Sequence, residues 1–573
     1  MERSFAFSLW PLLLVAFFGL KHALSKPENR TFLFRFFSAT ILVAAFWGIL
    51  QKLIPGFSHT FSGARIGGTL GNAIFYGSYL TLSIGLLFLG LLEEKRFSRW
   101  WNLTTLSIIG AALALLLTQT RGPLLGLCVG IFVALVTCFY KKTSHKRIAI
   151  ISIVALMTLA LGGGFIAYNK NLITPTTITT RFYNWSMAWN GFKDKPFFGW
   201  GPENYNLATD QNYISKLTKY SIAETHADKP HNYLLELAVT SGIFGVLAYI
   251  ALLISAMFEL RSAKLSVPQA CTILGILAAA VSQNLTSFET HGSIIVFIFA
   301  LALIGREGKN ISTKRLQLTI LSLASLCTIL VVFYGTLPLL KDSAAYLKAI
   351  KLDAAYADEH NAIKQLQGNL SKTPFPRDYF TALSFGVVGQ YWQNPQGYAR
   401  LTASEQQMHV DDLAWLRTTN DTLDTRYATN GAWKLVLANS AYQLYSLTKD
   451  SSDGSRAEKL FTDYAKLAPQ RQEPLMQLGQ LSLLRNNPEK AIEYFDAAIN
   501  LDPSLETPYW QRSLALFAQK KTVLAWKDIA YLMSVKFSFT PPQIANYIYN
   551  QLLENSMQTE ANEFKTYFEG GSF

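Results

Sequence analysis

The sequence is poor in charge. Of its 573 residues only 16% are Asp, Glu, Lys or Arg, where a soluble globular chain carries about 25%. Half are hydrophobic and 13% are aromatic, and the mean hydropathy is +0.19. This excludes a disordered chain and a wholly soluble one. Cysteine is scarce as well. Cys128, Cys138, Cys271 and Cys327 each sit in an apolar run, without Cys-x-x-Cys spacing and without a histidine close by. They read as small buried hydrophobes, not as metal ligands or redox pairs, and a disulfide scaffold is excluded. No Asp-x-Asp element or His/Asp cluster suggests a required divalent ion, so no metal or cofactor is expected. The apolar runs hold almost no ionisable groups at mid-span, which counts against a transporter.

What is present is unevenly spread. Residues 1–340 hold 28 Lys and Arg against 13 Asp and Glu, a net +15; residues 341–573 hold 23 against 25, a net −2. The basic excess therefore belongs to the apolar part. It lies in short clusters between apolar runs, the positive-inside signature of a membrane protein and not the footprint of a nucleic-acid binder. A helix needs about 20 apolar residues to cross the hydrocarbon core. Ten runs qualify or come close: 5–20, 36–54, 72–92, 100–118, 122–140, 148–168, 237–258, 265–288, 290–305 and 316–340. The first and ninth are short. The first could be a signal peptide, but Lys21 and His22 follow it without a clean small-x-small site, so a retained span is expected. Every odd-to-even connection is basic, as in Lys141, Lys142, Lys146 and Arg147 after the fifth run. These connections are placed in the cytoplasm. The long loop 169–236, both termini and the C-terminal part then face outward.

From Lys341 on, the composition is ordinary. Ala457, Phe461 and Pro469 recur as Ala491, Phe495 and Pro503, a shift of 34 residues, and Ala525 and Ile529 keep the register. That period resembles tetratricopeptide repeats, whose helical hairpins bury their faces by stacking on neighbours. The expected fold class is all-α. A polytopic bundle of about ten spans over residues 1–340 carries the large outer loop 169–236, a helical connector follows over 341–430, and a tetratricopeptide-like solenoid covers 431–573. The solenoid is either a spacer or a docking surface for a partner protein or acceptor.

Charged residues near the membrane but outside cytoplasmic clusters are the functional candidates. Arg121 lies in the tight turn Thr118-Gln119-Thr120-Arg121-Gly122-Pro123. Arg65 precedes Gly67-Gly68-Thr69-Leu70-Gly71-Asn72. Arg181 begins the long loop and is followed by Trp185 and Trp189, then by Lys195-Pro196-Phe197-Phe198-Gly199-Trp200-Gly201-Pro202-Glu203-Asn204-Tyr205. The loop ends with His226 and with His231-Asn232-Tyr233-Leu234-Leu235-Glu236. Taken singly, each has a bland reading: a snorkelling arginine, an N-terminal histidine, a glycine turn.

Their order together resembles the O-antigen ligase and polymerase superfamily of bacterial envelope proteins over about residues 60–305. Residues 181–247 carry the most specific part. Thr120-Arg121-Gly122 is similar to that family's Ser-Arg-Gly element, and Gly68-Thr69-Leu70-Gly71-Asn72 to its Gly-Thr-Phe-Gly-Asn element, with Ala73-Ile74 where the family has Pro-Asn. The resemblance implies a glycosyltransferase that moves a glycan from undecaprenyl diphosphate to an acceptor hydroxyl of a lipid core or a protein, at the periplasmic face of the inner membrane. Arginine grips a diphosphate bidentately without a metal, which suits Arg121 and Arg181. An imidazole near its working pKa suits the general base, which points to His231, with His226 behind it. Arg65, His226, Asn232 and Trp185 are the substrate-binding candidates. Asp194 and Glu203 read as structural acids. The competing readings are a polysaccharide polymerase using the same donor and, from another class, a transporter or an anchored protein-binding scaffold.

Overall fold

The computed structural model describes residues 2–54, 57, 65–142, 175–221, 223–263, 265–304, 360–361, 398–424, 429–539 and 542–570. Every regular element among them is helical. In chain order the helices are α1 (Glu2–Leu24), α2 (Pro27–Leu53), α3 (Ala73–Glu93), α4 (Arg99–Leu117), α5 (Arg121–Lys142), α6 (Pro175–Asp194), α7 (Tyr205–Gln211), α8 (Tyr233–Ser262), α9 (Val267–Asn284), α10 (His291–Ile304), α11 (Ala403–Asp424), α12 (Gly431–Thr448), α13 (Ser451–Leu467), α14 (Glu473–Leu484), α15 (Pro488–Leu501), α16 (Glu506–Ala518), α17 (Thr522–Ser534), α18 (Pro542–Glu554) and α19 (Gln558–Gly570). The chain divides into two compact units. One is residues 1–205 with 227–333; the other is 206–226 with 334–573.

Among the described residues of the first unit, five helices are long and apolar enough to cross a membrane: Pro27–Leu53, Ala73–Glu93, Arg99–Leu117, Arg121–Lys141 and Tyr233–Ser262. The sequence led us to expect ten spans. Two of the expected runs form shorter apolar helices, Leu13–Leu24 and His291–Ile304. The run 265–288 folds as α9, an 18-residue helix outside those five. The runs 148–168 and 316–340 lie outside the described residues. Helix starts follow local chemistry. Asn72 accepts from Ile74 N at 2.8 Å ahead of α3, and Ser98 accepts from Trp101 N at 3.1 Å ahead of α4, which satisfies orphan amides of the first turn.

Close packing in this unit uses small residues. Gly126 and Gly130 of α5 face Gly275 and Ala279 of α9, and a methyl group added at Gly130 would stand 2.7 Å from Gly275 O. Such four-residue spacing of small side chains lets helix backbones touch where no hydrophobic driving force is available in lipid.

The second unit stacks helices α11 to α19 so that neighbours in sequence are neighbours in space. The residues in 34-residue register are its core: Ala457, Phe461, Ala491, Phe495, Ala525 and Ile529 are all fully buried. A side chain at Gly479 would run into the Phe495 ring. Residues 206–226 of the long loop, which the sequence groups with the apolar part, cluster with this unit. Asp210 meets Arg471 at 2.9 Å, His226 meets Glu473 at 3.1 Å, Ser215 donates to Asp502 at 2.6 Å and Lys219 lies 3.4 Å from Glu506.

Candidate functional site around the connection between α9 and α10

The first unit contains a helix that is broken on purpose. Within α8, Gly242 has φ 66° and ψ −165°, a conformation open essentially to glycine alone. The break frees backbone groups, and the loop motif 196–201 takes them. Trp200 N donates to Val239 O and Gly201 N to Thr240 O, both at 2.9 Å, while Ile243 N donates to Pro196 O at 2.8 Å. Gly199, at φ +68°, lets the loop approach so closely that an added methyl group would stand 2.6 Å from Ser241 N. Lys195 Nζ lies 3.9 Å from the Trp200 ring centre, and Trp200 Nε1 donates to Gly191 O at 2.8 Å. The glycines thus serve a backbone-to-backbone seam, which fixes the loop against α8 and satisfies the groups the break frees. His231 stands just ahead of α8 and Arg181 in α6, the helix that leads into the motif.

The connection 285–290 between α9 and α10 is the common neighbour of the candidate residues. Arg181 donates through a terminal guanidinium nitrogen to Thr286 O. Gly122, next to Arg121, lies so close to Thr286 that an added methyl group would be 2.7 Å from its hydroxyl. The His231 ring packs on Phe288 with centroids 5.5 Å apart. Arg65 joins from the side: its Nε donates to Thr118 O at 2.9 Å, at the end of α4, and the Thr118 and Thr120 hydroxyls bond at 2.6 Å in the same turn. Arg121 is the first residue of α5 and is exposed. His231 has φ 54°, a left-handed backbone unusual for a non-glycine residue and concentrated at functional sites.

The remaining sequence candidates fall elsewhere. Asn232 caps α8, accepting from Leu235 N at 3.1 Å, so its side chain is engaged by the backbone. Trp185 sits on α6 edge-on to Phe182, with ring centroids 5.5 Å apart. His226 belongs to the second unit, beside Glu473.

Other groups near this connection escaped the sequence reading. Lys229 Nζ lies 3.2 Å from Glu236, 3.4 Å from Glu203 and 5.1 Å from the centre of the Phe288 ring. Asn284 donates to Glu289, whose carboxyl is pushed above the usual carboxylate range by burial. Glu203, which reads from sequence as a structural acid, is one of this group. A sequence signal existed: Lys229 and Glu236 bracket His231, and Glu289 is a lone acid in a short connection between apolar runs. A cavity of about 220 Å3 opens among Glu203, Lys229, Glu236, Phe288, Glu289 and His291. Among the described residues no group of three or more His, Cys, Asp and Glu is arranged to hold a metal ion.

An uncharacterised protein of Haemophilus influenzae is 25% identical over 223 residues, which cover 34% of this chain and 54% of that protein. The chain thus spans about half the length of the curated relative it matches. Residues 106–250, the stretch that holds Arg121, Arg181 and His231, match the model of the O-antigen ligase family.

Proposed function

We propose that this protein is a membrane glycosyltransferase that moves a glycan from undecaprenyl diphosphate to an acceptor hydroxyl, on a lipid core or a protein, at the periplasmic face of the inner membrane. The supporting observation is that Arg181, the Arg121–Gly122 turn and His231, all within the stretch that matches the ligase family, meet on the single connection 285–290 that lies beyond that stretch. In this reading Arg121 and Arg181 grip the diphosphate, and Arg65 braces the Thr118–Thr120 turn beside Arg121. His231 takes the proton of the acceptor hydroxyl. The acceptor oxygen bonds to the anomeric carbon, the bond from that carbon to the phosphate oxygen breaks, and undecaprenyl diphosphate leaves with the electron pair. The guanidinium groups stabilise the charge that develops on it. No step calls for a metal.

The topology belongs to the same proposal: ten spans, basic connections inside, and the C-terminal unit outside as a tetratricopeptide-type solenoid over 431–573 that docks a partner or acceptor. The test is transfer by the purified full chain from an undecaprenyl-diphosphate glycan, with products read by mass. Arg121→Ala, Arg181→Ala and His231→Ala should each lower transfer by at least about 100-fold while membrane insertion is unchanged. Full activity in two of the three overturns the assignment.

A further inference from the structure

The transfer chemistry leaves the cavity between Glu203, Lys229, Glu236, Phe288 and Glu289 without a task, and its walls are chemically specific. Lys229 engages one oxygen of Glu236 and one of Glu203. Asn284 engages one oxygen of Glu289. The second oxygen of Glu236, Oε2, is buried and has no hydrogen-bond donor among the described residues, and Glu289 Oε1 is buried with only the Ser293 hydroxyl, itself bonded to Thr290, bearing on that carboxyl. A buried acceptor left without a donor is destabilising, so the cavity is built to receive donors. Three acidic side chains against one ammonium leave no net positive charge to attract an anionic guest. The ammonium already over the Phe288 ring, 5.1 Å from its centre, takes the place a cationic guest would use. Phe75 meets Phe288 at 5.5 Å between centroids, nearly perpendicular, and both line the space. Apolar ring surface beside paired carboxylate acceptors suits a neutral polyol, with C–H groups on the rings and hydroxyls on the acids. The volume, about 220 Å3, is ample for one sugar ring, since a single water needs only about 10–15 Å3 on the same measure.

We propose that this cavity is a binding site for one neutral sugar residue, held by hydroxyl donation to Glu236 and Glu289, and that the sugar it seats belongs to the acceptor. The placement on the acceptor side rests on the ligase reading above: Phe288 lines the cavity and also carries the His231 ring at 5.5 Å, so a sugar seated there is separated from the base by that one ring. The site thereby names a carbohydrate acceptor in preference to a protein one. Glu236 and Glu289 are specificity residues here and do not take part in the proton transfer.

The test uses the full chain in lipid nanodiscs free of glycoside detergent. The probes are methyl glucoside and methyl galactoside, read by saturation-transfer NMR. Wild-type protein should transfer saturation to at least one of them, and Glu289→Gln and Glu236→Gln should reduce that signal at least fivefold. With an undecaprenyl-diphosphate glycan as donor, both variants should raise the acceptor KM at least about tenfold and leave the donor KM within twofold. Sugar binding that depends on the two acids in a protein that transfers no glycan would support the site and overturn the ligase reading. Transfer by the wild type with no saturation of either glycoside, or with sugar binding indifferent to both acids, would overturn the site and leave the ligase reading standing. If a variant does not fold, the wild-type spectrum decides: no saturation of either glycoside overturns the proposal.

Discussion

Two stretches of the same long loop are held in opposite ways. Residues 196–201 are held by their backbone, laid into the break of α8 through three amide–carbonyl bonds and two left-handed glycines. Residues 206–226 are held by their side chains, through charges that meet charges on the C-terminal helices, Asp210 with Arg471 and His226 with Glu473. The first kind of attachment has no substitute. A freed buried carbonyl without its partner is costly, and the seam admits no Cβ. The second kind depends on ionisation and on individual side chains, so it can be weakened by degrees. One stretch is scaffold and the other is a clasp.

The sharpest way to break that contrast is to fill the seam. In Gly242→Val the side chain would have to occupy the space of the Phe197 carbonyl, on a backbone conformation closed to branched residues. The strain alone is on the order of 3 kcal/mol, and the three seam bonds are lost with it. We expect little or no folded protein in the membrane fraction, with loop 196–201 open to protease in whatever remains. Wild-type levels of a protease-resistant variant would show that the seam is dispensable.

Removing the clasp should be milder and local. Arg471 and Asp210 side chains are only 3% and 6% exposed, and the guanidinium also covers the Tyr213 ring at 4.1 Å. Arg471→Met strands the Asp210 carboxylate in a buried site, a loss of about 3–5 kcal/mol. Hydrogen exchange of the full chain should quicken across 206–226 and stay unchanged across 196–201. Pairing the change with Asp210→Leu should recover most of the loss, because no lone charge then remains buried. Equal loosening of both stretches would erase the distinction between them.

Some of this was readable from sequence and some was not, for physical reasons. The apolar runs that became α2 to α5 and α8 follow from length and hydropathy alone. The 34-residue register of Ala457/Phe461 and Ala491/Phe495 announced a buried face that the folded chain indeed buries. Gly199 and Gly201 read as a turn and no more, because their partner is Gly242, some forty residues on, and only the fold brings the two together. The clasp was invisible because Asp210 and Arg471 are 261 positions apart. Glu203, Glu236 and Glu289 looked like unrelated single acids for the same reason. Arg121, Arg181 and His231 were chosen for their chemistry, and their shared neighbour, the connection 285–290, carried no pattern of its own.

The smallest effect is a pH dependence that should touch the C-terminal unit and spare the seam. Burial holds the imidazole of His409 well down, at about 4, against an ordinary value of 6.5. Its ring packs on Tyr398 at 5.4 Å, and Nε2 lies 3.3 Å from the Gln443 side-chain amide. Above pH 6.5 neither the folded nor the unfolded chain protonates it, and stability is unaffected. As the pH falls from 6.5 toward 4, the unfolded chain gains a proton that the folded one refuses, so stability is lost through that window. At pH 5.5 the loss from this one group is about 1 kcal/mol. Amides around α11 and α12 should exchange faster at pH 5.5 than at pH 7.5, after correction for intrinsic rates. His409→Gln should flatten that dependence while the amides of 196–201 and 239–243 keep theirs. The seam is made of uncharged backbone bonds and has nothing to titrate. A pH effect of equal size at the seam would mean that the two attachments are coupled and that the clasp is part of the scaffold after all.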